Sequence, residues 1–218
     1  MAALCLLLLF AGLQMLAADD TAGQSEETGG ISFAGNFTRA SLRQGSEEIA
    51  LSGGAWVRTG NIYIEADAID IFGQNSRYIA CSGNVRLEES AEELELVSNV
   101  LNYDRETESL VINGWAELYD RKNEIVARGA YLKNDREAEI ILIQINVSIL
   151  RADEGEQYMY CKADSALFRT AEETLELTGS AEVYYEGSKY EAARIHVDLA
   201  TNEITMEGGV SGNINESQ

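Results

Sequence analysis

The chain has 218 residues, 45% of them apolar, and its 37 acidic against 16 basic side chains leave a formal charge of -21 at neutral pH. That is material for one domain with a real core or for a long repeat array, and it is crowded for two packed domains. The acid is spread along the chain without clustered Lys or Arg, which excludes a phosphate-backbone binder, so nucleic acid is not an expected partner.

Residues 1–18, MAALCLLLLFAGLQMLAA, form an uncharged apolar run that stops at Asp19 and Asp20. The run is short for a membrane span and ends in the small residues Ala17 and Ala18, so a cleaved export signal is expected, with an uncleaved anchor as the alternative. Residues 19–30 are small and polar and read as a flexible linker, and residues 215–218 as a tail. After the leader only Cys81 and Cys161 remain, with no CxxC and no Cys/His cluster, so neither a metal site nor a cofactor is expected. Both cysteines read as small buried hydrophobes that stay unpaired.

From residue 31 to 214 the chain repeats. Taking Gly53, Gly83, Gly114, Ile145, Gly179 and Gly208 as anchors, successive separations are 30, 31, 31, 34 and 29. The residues two and four positions to either side of these anchors are apolar at 23 of 24 places, Gly212 being the exception, while the interleaved positions are mostly polar. Alternation of that kind is a half-buried β-strand, because a strand sends successive side chains to opposite faces. A glycine at the strand centre packs nothing, and its recurrence predicts a bend in every strand.

A second alternating segment precedes each anchor strand, beginning at Ile62, Leu94, Ile125, Met159 and Tyr190. In the middle of each, a small residue followed by Asp67, Asn99, Ala130, Asp164 or Arg194 makes the alternation slip by one, as a β-bulge does. Polar turns at 73–77, 104–108, 135–138 and 200–203 join the two strands of a copy. The expected fold is all-β, with about a dozen antiparallel strands and no helix beyond the leader.

Catalytic chemistry finds no foothold. His196 is the single histidine and sits in a polar strand face, carboxylates are too numerous for any pair to mean much, and no nucleophile elbow or phosphate-cradling loop occurs. Trp56 and Trp115 read as cover for the outer face of the sheet.

The bulged strand, the polar turn and the glycine-centred strand, clearest at 62–87 and 94–118, resemble the repeat of the LptA/OstA-like family of periplasmic lipopolysaccharide-transport proteins. The resemblance implies an open, slightly twisted β-jellyroll over 31–214, a periplasmic location, and an inner groove for the acyl chains of lipopolysaccharide or a related amphiphile. It also implies head-to-tail stacking of protomers with other components of a bridge between the membranes. Ile145 in place of glycine and Arg194 in place of Asp or Asn depart from the pattern and leave the local bends there open.

The inner-face residues expected to meet lipid are Ile62, Ile64, Ile79, Val85, Leu87, Leu94, Leu96, Leu110, Ile112, Leu118, Ile141, Ile143, Val147, Leu175, Leu177 and Val183. The expected oligomer edges carry Phe33, Phe37, Ile204, Met206 and Val210. Two other readings stand beside this one. The chain is a membrane-anchored relative of the LptC type, or it is a repeat β scaffold or adhesin whose inner face is a dry core.

Overall fold

The computed structural model describes residues 30–43, 46–91, 93–152 and 158–213. The leader, nearly all of the linker, Ile214 and the tail lie outside the described residues. Fourteen strands make one antiparallel sheet: β1 (Ile31–Ala34), β2 (Phe37–Arg43), β3 (Ser46–Thr59), β4 (Ile62–Phe72), β5 (Tyr78–Glu89), β6 (Leu94–Asp104), β7 (Ser109–Asp120), β8 (Ile125–Asp135), β9 (Ile140–Ala152), β10 (Tyr158–Arg169), β11 (Thr174–Tyr185), β12 (Ser188–Asp198), β13 (Glu203–Glu207) and β14 (Ser211–Asn213). From β3 to β13 each strand pairs with the next in sequence; β1 and β2 both lie along β3, and β13 and β14 both lie along β12. The sheet is open and twisted, not a closed barrel, and has a dozen rows, as the repeat pattern predicts. Among the described residues the sole helical element is a 3-10 turn at Gln74–Ser76, and no helix is long and apolar enough to cross a membrane.

The bends come from paired left-handed residues. Gly53 and Gly54, Gly83 and Asn84, Ile145 and Asn146, Gly179 and Ser180, and Gly208 and Gly209 all have positive φ. Two such residues in succession turn a strand sharply, and glycine adopts them without steric cost. The bulge residue of the preceding strand explains why glycine is needed at two of the anchors. A Cβ built on Gly83 would lie 2.3 Å from an Asp67 carboxylate oxygen, and one on Gly179 would lie 2.4 Å from that of Asp164. Asp67 is held there by the Asn84 amide, which donates to Oδ2 at 2.9 Å. The anchor and the Asp of the bulge are therefore one packing unit seen on two neighbouring strands.

Both departures from the repeat keep their bends. Ile145 sits at φ +66 in spite of its branched side chain, 57% exposed, and the bulge position opposite it is the small Ala130. The bulge of β12 falls on Ala193 and not, as the sequence pattern suggested, on Arg194, which pairs in register with Thr178 and Glu207 and reaches Glu176 and Glu207 on the outer surface at 3.5 and 3.6 Å; the small Ala193 is what faces Gly208. Gly114 is the anchor that differs: it is not among the positive-φ residues, and the pairing of β6 with β7 instead breaks over a longer stretch, between Ser98 and Asn102.

Bent in this way, the sheet folds its apolar face inward, and one continuous buried cluster runs from Leu51 on β3 to Val197 on β12. Cys81 and Cys161 belong to it, unpaired and buried, with their thiols pushed up to about 12 by desolvation. They stand five rows apart, about 24 Å at strand spacing. The outer face is polar. Trp56 stacks at 5.9 Å on Tyr63, Glu95 bridges Arg86 and Arg121, and Tyr160 and Tyr184 carry Lys162 over their rings.

Candidate functional site

The inner face is where the sequence puts the site, and its residues meet one another more than they meet solvent. Of the expected lipid-facing residues, Ile62, Ile64, Ile79, Val85, Leu87, Leu96, Leu110, Ile112, Ile141, Ile143, Val147, Leu175, Leu177 and Val183 are buried, while Leu118 is partly buried against them and Leu94 is half-buried. The alternation thus delivers all of them to one face. That face is largely closed by the opposite half of the same bent strands.

The two walls meet along a seam formed by the turns at either end of each strand. Arg105 Nε donates to Thr59 Oγ1 at 3.1 Å, Arg136 Nη1 donates to Glu89 Oε1 at 2.5 Å, and Arg151 Nη1 donates to the Leu199 carbonyl at 2.8 Å and to Asn202 Oδ1 at 3.2 Å. Glu89 is 6% exposed, a buried acid whose charge the Arg136 guanidinium matches. Leaving such a charge without its partner would cost several times what an exposed pair contributes.

Between the second and the last of these contacts the seam opens. A cavity of about 490 Å³ lies there, lined at its rim by Asp120, Lys122, Arg136, Glu139, Arg151, Thr170 and Glu173 and at its floor by Leu94, Ile125, Ile141, Phe168 and Leu199. The floor leads into an almost wholly apolar pocket of about 50 Å³ among Leu118, Ile143, Ile149, Met159 and Leu175. The mouth is in the usual range for a small-molecule site, but the pocket beneath it holds about as much as one or two waters. A cavity of that size has no room for an acyl chain unless the walls part.

Sequence reasoning found part of this slot and missed part. Leu94, Leu118, Ile141, Ile143 and Leu175 were legible from alternation. Ile125 and Met159 were legible as strand starts, but Phe168, Leu199, Asp120 and Arg151 lie at strand ends, where the alternation runs out into turns. The repeat register could have found Asp120 and Arg151, because both stand six positions after an anchor, as Thr59 and Glu89 do. Among the described residues there is no grouping of His, Cys, Asp and Glu suited to a metal ion.

The expected oligomer edges are the outer rows. Phe33 on β1 and Ile204 and Met206 on β13 are partly buried against the core, whereas Phe37 on β2 and Val210 are 73% and 54% exposed. Trp115 is also exposed, on the outer face.

Comparison of the sequence with known protein families and with curated proteins finds no match. Among solved structures the chain is similar to LptH, described as the LptA-homologous periplasmic component of the conserved lipopolysaccharide transport device from Pseudomonas aeruginosa. The TM-score is 0.29 and the identity 9%, over 86% of this chain and 96% of that one.

Proposed function

We propose that the chain is an exported, non-enzymatic carrier of lipopolysaccharide or a related amphiphile, working in the periplasm as part of a bridge toward the outer membrane. The observation that carries the reading is the seam opening, where a polar mouth leads directly onto the apolar interior of a repeat-built sheet. A bent sheet of this kind exchanges one apolar contact for another when acyl chains enter: the Ile, Leu and Val side chains that meet across the interior meet lipid instead, at little net loss of burial. Residues 1–18 supply the export signal, and the mature chain begins near Asp19. A dry-core scaffold is the second reading, favoured by the near-complete burial of Ile64, Ile69, Ile112 and Leu177.

The deciding experiment is extraction of the natively purified protein followed by mass spectrometry of bound lipid, with in vitro binding of a fluorescent acyl probe. Because Ile112 is fully buried, an acid there would break the core whatever the function. Half-buried slot residues are the better probes. Phe168→Glu and Leu94→Glu are expected to abolish probe binding while the β circular-dichroism spectrum survives. Absence of co-purified lipid together with unchanged probe binding in both variants would favour the scaffold.

A further inference from the structure

Among the described residues the seam contacts follow the repeat, and one of them is missing. Thr59, Glu89, Asp120 and Arg151 stand six positions after successive anchors, and Arg105, Arg136, Thr170 and Leu199 occupy equivalent turns of the opposite wall, separated by 31, 34 and 29 residues as are the anchors from Gly114 to Gly208. The first, second and fourth of these pairs are hydrogen-bonded across the seam. The third is not a bridge of that kind. Asp120 accepts from the Asn123 backbone and side chain at 2.9 and 2.7 Å, and the Thr170 hydroxyl donates to the Glu139 carbonyl at 3.1 Å, so each is satisfied within its own wall. The mouth lies at this third position. Flanking contacts end on β5 and β9, four strand spacings or about 19 Å apart, which is room for acyl chains to pass between latched segments.

Charge at the mouth points to the head group. Arg77, Arg86, Arg128, Arg136 and Arg194 each lie within ion-pair distance of a carboxylate. Arg151, half-buried and lining both the mouth and the apolar pocket, has only neutral partners among the described residues, the Leu199 carbonyl and Asn202. Of the acids at the rim, Asp120 is engaged by Asn123, Glu89 by Arg136, and Glu139 and Glu173 are exposed on turns, where solvent screens them.

We propose that this unlatched position is a lateral entry port for an anionic amphiphile, whose carboxylate or phosphate oxygens dock on Arg151 while its chain passes Ile125 and Phe168 into the interior. The proposal rests on the reading that the interior accepts acyl chains.

The test measures binding of laurate, dodecyl phosphate and dodecanol to the full chain, to Thr170→Arg and to Arg151→Gln. Thr170 is exposed, so the new arginine folds without strain and meets Asp120 as Arg136 meets Glu89. Thr170→Arg is expected to weaken all three ligands by roughly tenfold or more while its melting temperature holds or rises. Arg151→Gln is expected to weaken laurate and dodecyl phosphate by roughly tenfold and dodecanol by less than about twofold. A larger loss for one of the two anions identifies the preferred head. Undiminished binding in Thr170→Arg overturns the port, and equal losses of charged and neutral ligands in Arg151→Gln overturn the head-group role; both leave the carrier reading in place. No binding of any amphiphile to the wild type overturns the carrier reading itself.

Discussion

Single residues set the curvature of this molecule. Each left-handed pair is tolerated where the first member lacks a Cβ, and Ile145 is the costly exception, since a branched side chain at φ +66 crowds its own backbone. Replacing Ile145 by Gly relieves that strain and removes an exposed apolar group, against the extra freedom glycine has in the unfolded chain. The expected balance is a stabilisation of about 1 kcal/mol, read as a rise of roughly 2–4 °C in melting temperature. The mirror experiment is Gly83→Ala, which puts a methyl group into the Asp67 carboxylate. Strain and displacement of Asp67 together are expected to cost about 2–3 kcal/mol in chemical denaturation, and the double variant Gly83→Ala/Asp67→Ala to recover the steric part.

At the scale of strands, ladders of opposite charge bind neighbouring rows on the outer face. The Arg77 guanidinium grips both oxygens of Asp104 at 2.6–3.0 Å and holds that carboxyl below the usual range; Arg121 and Arg86 do the same for Glu95, and Tyr119 and Arg128 for Glu117. A carboxylate whose folded-state pKa is depressed contributes stability that is complete above its unfolded value and is lost as pH falls through the folded one. The urea midpoint is therefore expected to drop only below about pH 4, and Arg77→Gln to flatten that drop. An acid limb unchanged in Arg77→Gln would show that these ladders hold nothing together. Strand existence and facing were legible from alternation, because an antiparallel row buried on one face must alternate. Closure was not legible. Whether Ile64 and Leu177 face lipid or each other depends on how sharply left-handed pairs bend the rows, and Asn84, Ser180 and Asn146 carry no sequence signal strong enough to say so. The third seam position was invisible for a related reason: Thr170 differs from Arg105 and Arg136 only in what it fails to reach.

For the whole molecule, the question is what covers the two ends of the sheet. Among the described residues β13 pairs only with β12, on one side, and its outer edge, Glu203–Glu207, contains neither Pro nor Lys, the residues that usually blunt an exposed strand. At the other end β1 and β2 flank β3, with Phe37 exposed and Arg39 and Arg43 on the surface. Phe33, Ile204 and Met206 carry the apolar interior to the last rows, so a second molecule adding β1 and β2 beside β13 and β14 would extend that interior instead of ending it. The arginines of one protomer then lie near Glu203 of the next, which favours this direction of stacking. Because the two edges differ, a contact of this kind would be heterologous and would not close into a dimer. Sedimentation over a wide range of protein concentration is expected to show a ladder of sizes that lengthens as concentration rises. Proline at Thr205 and at Val210 removes backbone donors from the C-terminal edge and is expected to collapse the ladder to monomer, provided the melting temperature shows β13 still docked on β12. A wild type that stays monomeric throughout, or a ladder indifferent to both prolines, would leave continuity of the interior between protomers without a physical basis.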